Sequence, residues 1–127
     1  MNIEPMQLLA KILIQGNRKE APPSNALRRK INNHYHYTVT GVMADVYISE
    51  TKQAKWRENI SPELPSEFVR ANGECWRLDV PDEVLTWYGL TREQSNQLWV
   101  MSARGYTFDQ IGKSILRVIE GARKEKK

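Results

Sequence analysis

The residues of this chain whose types suggest a binding chemistry are arginines placed beside aromatic rings. An aromatic face can stack on a nucleobase while a guanidinium binds the phosphate, so such neighbours are typical of nucleotide sites. Each pair alone also fits a buried ring next to an arginine that points outward. As a set, they predict one aromatic–basic ligand site. The combinations are Trp56-Arg57, Trp76-Arg77, and Arg104 near Tyr106.

Two histidines and one cysteine are the candidates for metal binding or nucleophilic chemistry. His34 and His36 lie two residues apart in a predicted strand, and this spacing places both on one face. A third ligand at suitable spacing is missing, so a polar strand face is favoured over a metal site. Cys75 beside Trp76 fits a small buried residue better than a nucleophile. The sequence therefore predicts no metal and no cofactor.

Motifs of common enzyme classes are absent from the sequence. There is no Gly-rich phosphate loop, no GxSxG and no HExxH. Acidic residues fall in predicted loops and helix starts, where capping and solvation explain them. These observations favour a protein that is not an enzyme. The acidic residues in question are Glu63, Glu67, Asp79, Asp82 and Glu83.

Length and charge indicate one small domain with a mildly basic surface. The chain has 127 residues and a net charge of +4. We expect a single domain over residues 1–120 and a basic tail over residues 121–127. "RRK" at residues 28–30 and the tail hold much of the positive charge, which attracts phosphate-bearing partners. The single cysteine, the start that does not resemble a signal peptide and the lack of a long apolar run predict a cytoplasmic location without membrane contact.

Apolar spacing and punctuation predict the elements of the first half of the chain. Apolar steps of three and four predict a helix over residues 3–15, which Gly16 ends. "KEAPPSN" is a predicted loop, followed by a strand, an Asn32-Asn33 turn and a second strand. A buried helix is predicted for "TGVMADVYISET", an extended segment for "QAKWRENI", and a loop for "SPELPSE". "FVRANGECWRLDV" predicts a hairpin that turns at residues 71–73.

Helix signals dominate the second half. Pro81 is expected to open a helix that Gly89 ends, and Thr91 and Thr107 cap two further helices in capping boxes with Gln94 and Gln110. The last helix is predicted to end at Gly121. The fold class is α+β: a small antiparallel sheet of three or four strands, packed by about five helices and ending in a helical hairpin. The inner stripe of the last helix is Phe108, Ile111, Ile115, Val118 and Ile119.

The terminal hairpin "LWVMSARGYTFDQIGKSI" has the opening of a DNA-binding helix-turn-helix, with a tight turn at Arg104-Gly105. A recognition helix should follow the second helix, and "LRVIEGARKEKK" instead continues it. A hairpin that closes the core is therefore favoured over DNA reading. A DNA-binding protein that uses the hairpin, "ALRRK" and the tail is the weakest binding hypothesis.

Four segments, taken in order, resemble small proteins of phage and prophage genomes. "TGVMADVYISET", "QAKW", "VPDEVLTWYGL" and "LWVMSARGYTFDQIGKSI" match that family's LGVLCDLY, GxW, LPxEVxxWxGL and LNDxGxSFxEIAxxIE over about residues 40 to 119. Ser102-Ala103 replace the family's Asn-Asp, and Lys113, Ser114 and Arg117 replace its acidic residues. The resemblance implies a phage accessory protein. The chain is also similar in size and in its α+β class to Thoeris anti-defence proteins, which sequester a cyclic ADP-ribose signal.

Two binding hypotheses follow for such an accessory protein. The first is capture of an anionic, cyclic nucleotide without turnover, which would counter host defence from the host cytoplasm. The second is a protein-interaction or virion-associated role, with a host or virion protein or a second copy of the chain as partner. The predicted ligand contacts are Arg57, Trp87, Trp99, Ser102, Arg104 and Phe108.

Overall fold

A computed structural model of the chain describes residues 1–21, 26–58 and 64–125. It confirms the α+β class and the closing helical hairpin. The loop predictions at residues 22–25 and 61–63, Glu63 and the last two residues of the predicted tail lie outside the described residues. The elements are α1 (Ile3–Gln15), β1 (Lys19–Glu20), β2 (Arg28–Ile31), β3 (His34–Tyr37), α2 (Val39–Thr51), β4 (Ala54–Arg57), β5 (Glu67–Arg70), β6 (Cys75–Trp76), α3 (Asp82–Tyr88), α4 (Arg92–Ala103) and α5 (Phe108–Glu125).

The strands of the described segments form two three-stranded sheets instead of the single one expected. The first has the order β1-β3-β2 and the second the order β4-β5-β6. Because α2 begins two residues after β3 ends, it carries the chain away from the first sheet before β4 starts. The Lys19–Glu20 segment, predicted as loop, pairs in parallel with β3, so the first sheet is mixed.

Turn and cap residues behave as their chemistry predicts. Asn32 and Asn33 have φ values of 51° and 67° and join β2 to β3 through a two-residue turn, the geometry that asparagine tolerates well. Thr91 and Gln94 form a complete capping box at the start of α4. Pro81 is the N-cap of α3, so the helix begins at Asp82, one residue after its predicted start. Element boundaries therefore follow local sequence closely.

Glycine permits two close approaches in the core. A Cβ on Gly41 would lie 1.7 Å from the carbonyl oxygen of Leu27, because the first turn of α2 abuts the backbone that leads into β2. A Cβ on Gly112 would lie 2.8 Å from the carbonyl oxygen of Ala10, so α5 and α1 pack almost backbone to backbone. The core centres on α1, α2 and α5 as a result.

The last helix differs from its prediction in two respects. Val118 is 53% exposed, whereas the rest of the predicted stripe is buried. A step of one residue turns the helix by about 100°, so Val118 cannot face the core together with Ile119. In addition, α5 continues past Gly121 to Glu125. Glycine weakens a helix interior without forbidding it, and nothing lies within 4 Å of a Cβ placed on Gly121.

Arg28 connects the two sheets, so it does not contribute to the basic surface patch expected at "RRK". It is 7% exposed, and its Cζ lies 3.9 Å from the ring centroid of Tyr35 and 4.4 Å from that of Trp56. Its Nε donates to Ser66 Oγ at 3.0 Å. A guanidinium between two aromatic faces, with a hydrogen bond in the plane of the group, is a favourable way to bury this charge.

Asp45 on α2 supports the same junction from the other side of Trp56. Its Oδ1 accepts a hydrogen bond from Trp56 Nε1 at 2.9 Å, and its Oδ2 accepts one from Arg18 Nε at 2.9 Å. The carboxylate therefore fixes the indole that Arg28 stacks on.

Candidate functional site

Arg57 does not contribute to an aromatic ligand site with Trp56. Adjacent residues of a strand point to opposite faces, so Arg57 lies on the exposed face of β4 while Trp56 packs inward. Its Nη2 donates to Glu67 Oε1 at 3.2 Å and to Cys75 Sγ at 3.0 Å. The Trp56 ring is occupied by Arg28, which is distant in sequence.

The aromatic residues of the predicted site serve mainly as packing. Trp87 is half-buried, and its ring meets Tyr47 edge to face at 5.6 Å and Tyr88 at 4.9 Å. Phe108 is 3% exposed and belongs to the core, so it offers no ring at the surface. Trp99 is half-buried and lines a cleft of about 340 Å³ that includes Leu78 and Asp79.

Ser102 and Arg104 belong to the turn of the terminal hairpin. The carbonyl of Ser102 accepts a hydrogen bond from the Gly105 N–H at 3.0 Å. Arg104 is exposed at the C-cap of α4, where its N–H donates to the carbonyl of Val100 at 2.9 Å. The three clefts lined by Lys52, by Trp99 and by Leu98 include only one of the six predicted contacts, Trp99. The six residues therefore do not share any of these clefts.

Cys75 is exposed, which corrects the prediction of a buried thiol. It lies on β6 opposite Val69, on the face of the second sheet that carries the exposed Lys55 and Arg57. His34 and His36 share β3, and His36 Nδ1 lies 3.2 Å from the carbonyl oxygen of Glu20. Within residues 1–21, 26–58 and 64–125, no three His, Cys, Asp or Glu side chains are grouped to hold a metal ion.

A cleft with basic walls lies where α2, β4 and the β5–β6 turn meet. Its volume is about 380 Å³, and we call it the basic cleft. All the charged side chains among its lining residues are cationic, and none of its lining residues is aromatic. The lining residues are Lys52, Gln53, Ala54, Lys55, Val69, Arg70, Ala71 and Gly73.

Backbone geometry places the three cations around the basic cleft, with Lys55 and Arg70 on opposite faces of the second sheet. Lys52 is the C-cap of α2 in the left-handed conformation, with φ 56° and ψ 23°, and its N–H donates to the carbonyl of Ile48. This conformation turns the chain sharply from the helix into β4, where Lys55 is exposed. Antiparallel pairing places Lys55 opposite Val69 and Ala54 opposite Arg70. The register of β4 on β5 therefore sets the width of the cleft.

Arg70 is held by a network of hydrogen bonds behind the cleft. Its Nε donates to Glu83, and its Nη1 donates to Glu74 Oε2 at 2.9 Å. Tyr47 Oη donates to the other oxygen of Glu83 at 2.7 Å, and Trp76 Nε1 donates to Glu74 at 2.6 Å. Each carboxylate thus accepts from Arg70 and from one aromatic residue, which fixes the plane of the guanidinium.

This network changes the titration of its members. The hydrogen bond to Glu83 raises the pKa of Arg70 further above its ordinary value. Burial, followed by the hydrogen bond to Glu83, raises the pKa of Tyr47 to about 12. Arg70 therefore stays a cation and Tyr47 stays a neutral donor throughout the physiological range.

The two lysines give the basic cleft its excess positive charge. Glu74 and Glu83 balance Arg70, whereas neither Lys52 nor Lys55 has a carboxylate within 4.0 Å in the part of the chain that the structure describes. Lys52 Nζ contacts only the Ser49 carbonyl, at 3.5 Å, among those residues. Two unneutralised ammonium groups on residues that line one cleft form an arrangement that suits an anion.

A third cleft, of about 210 Å³, lies between the start of α1 and the hairpin helices α4 and α5. Its lining is mainly apolar and includes Leu98, Met101 and Val118. None of its lining residues has a charged side chain.

Sequence reasoning missed Lys52, Lys55 and Arg70 because isolated surface lysines carry no local signal. The left-handed Lys52 follows a helix end that lacks glycine, and only the strand pairing shows that Arg70 lies opposite Ala54, two residues after Lys52. Comparisons with family models, with curated proteins and with solved structures found no match for this chain. No helix of the described segments has the length and apolar character needed to span a membrane.

Proposed function

We propose that this protein binds a small phosphate-bearing anion of the nucleotide class in the basic cleft and does not turn it over. The observation that carries the proposal is that two unneutralised lysines, Lys52 and Lys55, line one cleft together with the fixed guanidinium of Arg70. Ammonium and guanidinium groups together donate the hydrogen bonds that phosphate oxygens accept.

The size of the basic cleft bears on the ligand. About 380 Å³ lies near the lower end of the range for small-molecule pockets, roughly 300–1,000 Å³. A mononucleotide or a compact cyclic nucleotide suits that volume better than an extended cofactor. Because the lining residues include no aromatic ring, phosphate contacts dominate this mode of recognition and base stacking does not contribute. The site therefore differs from the aromatic sandwich that the sequence predicts.

Capture without turnover fits a phage accessory protein that counters host defence. Such a protein would lower the free concentration of a nucleotide immune signal, provided that it is abundant and that its Kd lies below the signal concentration. The walls of the basic cleft supply cations and backbone and no paired carboxylates, which suits retention of the ligand rather than hydrolysis.

Calorimetry and thermal unfolding test the proposal. The ligands are inorganic phosphate, mononucleotides, cyclic nucleotides and ADP-ribose derivatives, each well above the protein concentration. A ligand at 100 times its Kd stabilises the fold by about 2.7 kcal/mol, which raises the melting temperature by several degrees. The double variant Lys52→Ala/Lys55→Ala should lose this shift.

The matched control is Lys11→Ala/Lys113→Ala, which removes two exposed lysines from α1 and α5 and should keep the shift. Chromatography of the released ligand should return it unchanged. Absence of a shift with every ligand would refute anion capture, and a chemically altered ligand would refute binding without turnover.

A protein-interaction role is the second candidate, and the exposure of Val118 favours it. Val118 borders the apolar cleft of α4 and α5, where Leu98 and Met101 are half-buried. A contact there would bury apolar surface between copies of the chain or against a host or virion protein. Native mass spectrometry of the wild type and of Val118→Glu tests the homo-oligomer: the wild type should assemble and the variant should be monomeric. A wild type that stays monomeric at high concentration would exclude the oligomer.

A further inference from the structure

Three basic side chains form a line across the first sheet, and they are distinct from the basic cleft. Lys19 of β1 pairs with His36 of β3, and His36 pairs with Arg29 of β2. Directly paired residues share one face of a sheet, so the three side chains stand side by side. We call Lys19, His36 and Arg29 the basic row.

Strand alternation separates this face from the core. The residues that alternate with the row, Arg28 and Tyr37, are buried on the opposite face. His34, two residues before His36, shares the outer face with the row. Lys19 and His34 are exposed, and Arg29 and His36 are half-buried. The pattern "HYHY" thus places imidazoles outward and phenols inward.

The basic row lacks a counter-charge within the described part of the chain. Neither Lys19 nor Arg29 has a carboxylate within 4.0 Å there, although the adjacent Arg18 binds Asp45 and the adjacent Lys30 lies 3.9 Å from Glu58. The Nε of Arg29 is buried without a hydrogen-bond partner. A buried donor of a charged group that lacks a partner costs stability. An anion that is not part of the chain would offset this cost by binding the basic row, which explains why the row is present.

We propose that the outer face of the first sheet binds single-stranded nucleic acid. Lys19 and Arg29 stand two strand spacings apart, about 10 Å, and can each contact a backbone phosphate. The imidazole of His36 lies between them, and that of His34 lies two residues along β3. Both offer flat surfaces for unstacked bases. Sheet faces that combine planar rings with flanking cations are a common platform for single strands.

Fluorescence anisotropy with a labelled single strand of about 12 nucleotides, in DNA and RNA forms, tests this assignment. Each phosphate contact to a single strand contributes about 0.7 to the salt slope, so two contacts predict log K falling with log salt at a slope near −1.4. Lys19→Ala/Arg29→Ala should flatten this slope. His34→Ala/His36→Ala should weaken binding at least about fivefold and leave the slope unchanged.

Controls separate this proposal from the function of the basic cleft. Lys52→Ala/Lys55→Ala should abolish capture of the small anion and leave the affinity for the oligonucleotide unchanged. Lys19→Ala/Arg29→Ala should weaken oligonucleotide binding and leave capture of the small anion unchanged. The single variant Lys19→Ala, on an exposed side chain, provides a test should Arg29→Ala disturb folding. It should reduce the slope by about 0.7.

Three outcomes would overturn the proposal. The first is no binding at low salt with protein at high micromolar concentration. The second is binding that Lys19→Ala and Lys19→Ala/Arg29→Ala both leave unchanged. The third is tighter binding of a duplex of the same sequence, or equal competition by polyglutamate, either of which would show that the face selects charge alone and not an unpaired strand.

Discussion

Lys52→Gly should stabilise the fold and weaken anion binding at the same time. Lys52 occupies the left-handed region at φ 56°, which costs a residue with a side chain about 1–2 kcal/mol. Glycine adopts this region freely and increases the backbone entropy of the unfolded chain by about 0.5–1 kcal/mol. The difference predicts a gain of about 0.5–1 kcal/mol in the free energy of unfolding.

The same variant should bind the anion more weakly. The variant removes one of the two unneutralised ammonium groups of the basic cleft. A charge-assisted hydrogen bond contributes about 1.5–3 kcal/mol, so the Kd for the anion should rise at least about tenfold. Urea denaturation measures the first effect and calorimetry the second. In thermal unfolding, the stability gain corresponds to an increase of about 2–4 °C for a domain of this size.

Lys52→Ala is the matched control because it removes the charge and keeps the strained backbone. It should bind the anion as weakly as the glycine variant and should not gain stability. Lys52→Arg should match the wild type in both measurements. Equal stability of the alanine and glycine variants would refute the strain argument, and a glycine variant with wild-type affinity would refute the role of Lys52 in binding.

Three further predictions concern the fold. Arg28→Met should lower the free energy of unfolding by about 2–4 kcal/mol in urea denaturation, because two ring contacts and a hydrogen bond are lost, and a change below about 1 kcal/mol would contradict this. Gly41→Ala should prevent cooperative unfolding by circular dichroism, because its Cβ would overlap a carbonyl, whereas Gly121→Ala should stabilise α5 by up to about 1 kcal/mol; similar effects of both would be inconsistent with the packing described. The raised pKa of Tyr47 contributes stability below pH 10 that is lost as pH rises through 10 to about 12, so Tyr47→Phe should flatten this part of the alkaline stability curve, and an unchanged curve would contradict it.

Local signals in the sequence were sufficient for most helices and turns. Thr91 with Gln94, and Thr107 with Gln110, form the predicted capping boxes, and Asn32-Asn33 form the predicted turn. These features depend on hydrogen bonds and φ preferences that act over a few residues, so their sequence patterns are reliable. The α+β class follows from the same signals, because it requires only the kinds of element and their order.

Tertiary structure decided which of several similar residues are buried. Arg28 and Arg29 are adjacent and chemically identical, yet Arg28 lies between Tyr35 and Trp56 while Arg29 faces outward. The phase of β2 relative to the second sheet makes this choice, and nothing in "ALRRK" encodes that phase locally. Cys75 is exposed for a comparable reason, because its pairing with Val69 places it on the face of the second sheet that carries Lys55 and Arg57.

The candidate site could not be predicted from short stretches of sequence for the same physical reason. The sequence by itself determined the helices, the turns, the α+β class and a modest positive charge, because propensity, capping and charge are properties of short segments. Only the tertiary structure decided that Lys52, Lys55 and Arg70 line one cleft and that Lys19, His36 and Arg29 align. Both groupings depend on strand register and on a left-handed helix end, which packing between distant segments selects.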